Sequence, residues 1–136
     1  MGPDALINYR DYELWAIILT MAGGLAWIVM YGLIVKKILK EKYVEMPIVA
    51  ACGNFAWEFL WGFPFAYMVT LGQIFVWSYR IWFILDLFIF YHVIMEGAKQ
   101  IDIPELKKYW KYIGVAVMLG WAAVIYTFVI VGKDEL

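Results

Sequence analysis

Two carboxylates fall inside long apolar stretches: Glu58 in AACGNFAWEFLWGF and Asp86 in RIWFILDLFIFY. A charged side chain at the centre of a bilayer costs at least about 2.5–3.5 kcal/mol on insertion scales, so a short chain that keeps two of them invites a functional reading. A carboxylic acid taken out of water is a candidate proton donor. The structural alternative is a buried polar network that glues helices together, with Arg80 as a possible ion-pair partner.

Helical spacing predicts what surrounds each acid. Asn54 lies four residues before Glu58 and Trp61 three after it, so an amide, a carboxyl and an indole share one helix face and Asn54 is placed to orient the Glu58 proton. Trp82 and Tyr79 precede Asp86 by four and seven residues, and Phe90 follows it by four. Aromatic stripes in membrane helices commonly pack or anchor at interfaces. Next to a buried acid they gain a second use, because a π face stabilises a passing cation most strongly where water is excluded. Glu58 among Trp57, Trp61, Tyr79 and Trp82 therefore suits chemistry that generates carbocations from a lipophilic substrate. Pro64, six residues beyond Glu58, weakens the hydrogen bond to the Leu60 carbonyl and predicts a kink near Trp61 and Gly62. His92 reads as an interface hydrogen-bonding residue, Cys52 as a small packing residue, and Arg80 as reaching the outer headgroups or pairing with an acid inside the bundle.

The elements that must position these residues are membrane helices. The 136-residue chain is 65% hydrophobic and 20% aromatic, well above the roughly 45–50% apolar content of soluble domains. Apolar runs near 14–35, 47–70, 74–95 and 110–131 are each long enough to cross about 30 Å of hydrocarbon, which takes roughly 20 helical residues. The expectation is an all-α, polytopic membrane bundle of four transmembrane helices forming a single domain over residues 1–136. Lys36, Lys37, Lys40 and Lys42 follow the first run, and Lys99, Lys107, Lys108 and Lys111 follow the third. Positive charge on those two loops puts them in the cytosol and both termini outside it. The connection at Thr70–Gln73 is so short that spans two and three must be antiparallel neighbours. Glu58 is eleven residues in from Pro47, roughly 16 Å, and Asp86 twelve from Ile74, roughly 18 Å, so both reach the midplane.

Several classes are excluded. A net charge of −1 with lysines confined to short loops offers no patch for nucleic acid. No metal-ligand spacing, glycine-rich phosphate loop or serine–histidine arrangement occurs, so no metal and no cofactor is expected. The polar, acidic start does not read as a cleavable signal peptide, and Leu6 breaks the myristoylation pattern.

The stretch GLAWIVMYGLIV followed by AACGNFAWEFLWGF, from Gly24 to Phe63, resembles the integral membrane terpene cyclases of fungal meroterpenoid and indole-diterpene pathways and their bacterial relatives. NFAWEF, Asn54 to Phe59, is its most specific piece. The resemblance implies that Glu58 donates the proton that starts cyclisation and that Asp86, in RIWFILDLFIFY, occupies the position of an acid often found on that family's third helix. Members of that family carry more membrane helices than the four legible here, with a second essential acid in the last. The resemblance therefore implies a truncated sequence, a short relative that completes its pocket as a homodimer, or one that has lost the activity. Lys133–Leu136 spell an endoplasmic-reticulum retrieval signal, read as coincidence or a cut point.

The expected function is acid-initiated cyclisation of a prenylated lipophilic substrate by epoxide or alkene protonation, with Glu58 and Asp86 catalytic and Asn54, Trp57, Trp61, Tyr79 and Trp82 binding substrate. A sterol-isomerase-like enzyme would use the same parts. A small proton- or cation-coupled transporter, or half of one, is the alternative from another class. The expected location is the endoplasmic reticulum in a eukaryote and the inner membrane in a bacterium, among membrane lipids.

Overall fold

Apolar side chains and a self-satisfied backbone make helix the natural state of this chain in hydrocarbon. The computed structural model describes residues 5–133; most of the retrieval-like signal at the carboxyl end lies outside the described residues. Four helices follow one another: α1 (Leu14–Glu41), α2 (Ile48–Gly62), α3 (Gln73–Met95) and α4 (Pro104–Lys133). α1, α3 and α4 are long and apolar enough to cross a membrane. α2 packs between α3 and α4, and α1 lies against α3.

The second apolar run is not one kinked helix. α2 stops at Gly62 after 15 residues, and a turn leads into a short 3₁₀ segment, Ala66–Met68. At 1.5 Å per residue α2 alone covers about 22 Å. The cause is local: Pro64 has no N–H for the Leu60 carbonyl, which instead accepts from the Phe65 N–H at 2.8 Å. Arg80 forms no ion pair with an acid among the described residues. Its Nε donates to the Gly62 carbonyl at 2.9 Å, at the negative end of α2, and its guanidinium lies over Trp77, 4.8 Å from the ring centroid.

The start of α3 has no side-chain cap, and the amino-terminal segment takes that place. The Gln73 and Ile74 N–H groups donate to the Ala5 and Leu6 carbonyls at 2.9 and 3.1 Å, which satisfies two of the orphan donors of the first turn. Asn8 adds a side-chain hydrogen bond to the Thr70 carbonyl at 2.9 Å. Gly72 makes the approach possible: its φ is +121°, and a Cβ there would sit 2.6 Å from the Leu6 oxygen.

At the other end, Gln100 pairs with the backbone of Val44 in both directions, accepting from its N–H at 2.9 Å and donating to its carbonyl at 3.1 Å. Trp110 Nε1 donates to the Val93 carbonyl at 2.9 Å. Pro104 opens α4, where a missing N–H costs nothing. His92 Nδ1 bonds the Phe88 carbonyl of its own helix at 2.9 Å, and the Cys52 thiol donates to the Gly114 carbonyl at 3.3 Å.

Candidate functional site

Glu58 is carried by the middle of α2 and Asp86 by the middle of α3, and both are withdrawn from the surface, at 3% and 1% exposure. Glu58 Oε1 accepts a hydrogen bond from the Tyr31 hydroxyl at 2.9 Å. Tyr31 comes from α1 and is itself fully buried. Asp86 interacts electrostatically with both groups. Glu58 Oε2 and both Asp86 oxygens have no hydrogen-bond partner among the described residues. Burying two carboxyls beside each other is costly, so the pair is more than apolar packing.

Glu58 stands on the wall of a cavity of about 360 Å³. α1 contributes Gly23, Gly24 and Trp27; α2 contributes Asn54 and Trp57; α3 contributes Tyr79 and Trp82. The two glycines leave room where a side chain would intrude, and a Cβ on Gly24 would meet the Trp82 ring at 3.5 Å. Tyr79 and Trp82 meet edge to face, 5.7 Å between centroids. The walls are thus three indoles, a phenol, an amide and one carboxyl, a set able to hold a hydrocarbon, place one proton and face a developing cation with π density.

Of the residues singled out by spacing, Asn54, Trp57, Glu58, Tyr79 and Trp82 meet in this one cavity. Asp86 lies behind Glu58 rather than on the wall. Trp61 is off the cavity: its ring packs 5.6 Å from Trp57 and against the cluster of Ala56, Leu60, Phe65 and Ile125 between α2 and α4, with its Nε1 unpartnered. Asn54 shares the cavity with Glu58, but the hydrogen bond that orients the acid comes from Tyr31. Phe90 stacks on Phe55, 5.0 Å between centroids. Trp27 and Tyr31, whose rings lie 5.7 Å apart, were assigned no role by spacing. Both sit within GLAWIVMYGLIV, which was the available signal. Among the described residues no group of three or more His, Cys, Asp or Glu side chains is arranged to hold a metal ion.

The family model described as Pyr4-like transmembrane terpene cyclases matches residues 4–133. The Pyr4-family terpene cyclase mfmH of Annulohypoxylon moriforme is 34% identical over 104 residues, 76% of this chain and 38% of that protein. Terpene cyclase macJ of Penicillium terrestre is 30% identical over 57% of this chain and 29% of its own length. Terpene cyclase ascF of Acremonium egyptiacum is 33% identical over 57% of this chain and 27% of its own length. The chain therefore spans well under half the length of these curated relatives. No solved structure matches it.

Proposed function

The chain belongs to the Pyr4-like transmembrane terpene cyclase family, and from that membership we propose that Glu58 starts the cyclisation of a prenylated lipophilic substrate by protonating an epoxide oxygen or a terminal alkene. The observation that carries this reading is a single buried carboxyl, held through one oxygen by Tyr31 with the other unpartnered, on the wall of an aromatic cavity.

The proton leaves Glu58 for the epoxide oxygen, and the opening C–O bond leaves a cationic carbon. The π pair of a neighbouring double bond closes the ring onto that carbon and moves the charge along the chain, where Trp27, Trp57 and Trp82 face it. Loss of a proton to a base ends the sequence with a new double bond. Asp86 tunes Glu58 or takes that last proton; its return to Glu58 restores the acid, so the net reaction is an isomerisation. Asn54, Trp57, Tyr79 and Trp82 shape the bound chain, and Trp61 backs Trp57. Double-bond migration of the sterol-isomerase kind uses the same acid, and family membership favours cyclisation. We assign the chain to the endoplasmic reticulum in a eukaryotic host and to the inner membrane in a bacterial one.

Glu58→Gln tests the reading on the protein in lipid nanodiscs with an epoxidised farnesyl aryl ether. The expected result is loss of cyclised product with binding retained. Loss of pH-dependent uptake into vesicles, with no cyclised product from the unaltered protein, would establish the transporter reading instead, for which the interruption of α2 at Pro64 is the supporting feature.

A further inference from the structure

A second cavity, of about 240 Å³, lies between α1 and α3 and shares Gly24, Tyr79 and Trp82 with the acid-bearing one. Its remaining walls are mostly apolar, among them Leu25, Ile28 and Phe75. Of the three hydroxyls on its lining, Thr20 donates to the Ala16 carbonyl and Ser78 to the Ile74 carbonyl, each at 2.8 Å, and the third, on Tyr79, belongs to the wall shared with the acid-bearing cavity. Away from the shared wall no uncommitted donor lines the cavity, so hydrocarbon is the chemistry that fits there. Leu25 and Ile28 are 63% and 49% exposed, so the cavity is open at its side.

The helix positions give the path a direction. The acid-bearing cavity involves residues 79 and 82 of α3, and the second continues through 78, 75 and 74 toward the start of that helix. Gly24 is the neck. A Cβ there would stand in ordinary contact with the Trp82 ring, at 3.5 Å, between the two spaces.

We propose that the α1/α3 cavity is the hydrocarbon subsite for the same substrate, taking the isoprenoid carbons remote from the end that Glu58 protonates, with Gly24 keeping the neck open. This rests on the cyclase reading for the reacting end. It makes the Gly24 side chain a determinant of how long a prenyl chain is accepted, and it makes the gap between α1 and α3 the route by which a membrane-dissolved substrate enters.

The test uses an epoxidised farnesyl aryl ether carrying a diazirine on the isoprene unit farthest from the epoxide, photolysed with the chain in nanodiscs and mapped by peptide mass spectrometry. The expected result is labelling of Leu25, Ile28 or Phe75, competed by the same ether without the diazirine. Labelling falls several-fold in Gly24→Ala, which introduces no clash, and further in Gly24→Leu. It persists in Glu58→Gln and in Gly120→Leu, since Gly120 faces open space. Equal labelling of exposed positions away from the cavity, such as Phe128, 79% exposed, or labelling indifferent to competitor and to Gly24, would overturn the proposal and leave the cavity to bilayer acyl chains. Competed, Gly24-dependent labelling without any turnover would instead sink the cyclase reading and leave the hydrocarbon subsite standing.

Discussion

The phenol of Tyr31 on α1 donates to Oε1 of Glu58 on α2 across 2.9 Å. This bond ties the orientation of the acid to a helix that packs mainly on α3. It fixes which carboxyl oxygen is occupied and which is unpartnered.

Tyr31→Phe keeps the buried ring and removes the donor. Glu58 Oε1 then loses its donor, which costs about 1–3 kcal/mol, read as a lower melting temperature in detergent. Turnover falls while KM moves little, because the change affects the direction of proton delivery rather than the shape of the cavity. Unchanged turnover would show that Tyr31 does not position the acid.

Under the proposed mechanism Glu58→Gln removes the general acid, and such groups contribute roughly a hundredfold or more to rate. Product formation measured by mass spectrometry should drop by at least that. Asp86→Asn should cost less if Asp86 tunes Glu58, and as much if it must accept the final proton. Full activity in Glu58→Gln would move the acid role elsewhere.

Gly72→Ala forces a side chain into a left-handed position against the Leu6 carbonyl. Strain of this kind costs of order 1–3 kcal/mol. Hydrogen exchange of the Gln73 and Ile74 amides, which bond Ala5 and Leu6, should quicken well before exchange in the middle of α3 does.

Gln100→Ala removes both bonds to Val44, at about 1 kcal/mol each. Faster exchange of the Val44 amide with turnover intact is the expected pattern, because this latch is built on the connections rather than on the cavity. A loss of turnover equal to that of Tyr31→Phe would contradict it.

Gly114→Leu and Gly120→Leu form a matched pair on α4. A Cβ on Gly114 would sit 2.3 Å from Ile94 Cδ1 and 3.3 Å from Ile48 Cδ1, whereas Gly120 meets nothing within 4 Å. Overpacking should cost the first variant about 1–3 kcal/mol, and the second should melt like the parent. Equal melting temperatures would mean that α4 does not hold this register against α2 and α3.

The fold class could be read from the chain because an apolar run of about twenty residues leaves a backbone in lipid few options besides helix. The break after Gly62 was half legible. Proline withholds its N–H wherever it stands, so a disturbance near Trp61 and Gly62 followed from Pro64 alone; whether the helix kinks and continues or ends, with the Phe65 N–H on the Leu60 carbonyl, is a backbone choice that the proline leaves open.

For the site, the sequence by itself determined which groups α2 and α3 could offer. Fixed helical spacing places Asn54 and Glu58 on one face and aligns Tyr79 and Trp82 on another. Tertiary structure decided what completes them. α1 is apolar along nearly its whole circumference, so no polar stripe marks the side it turns to its neighbours. Its contribution of Gly23, Gly24, Trp27 and Tyr31 depends on how α1 settles against α3, which is a matter of side-chain fit between helices distant in sequence. The same packing placed Trp61 against α4 behind Trp57 and gave the orientation of Glu58 to Tyr31 rather than Asn54, because a hydrogen bond between helices exists only where their packing brings donor and acceptor together.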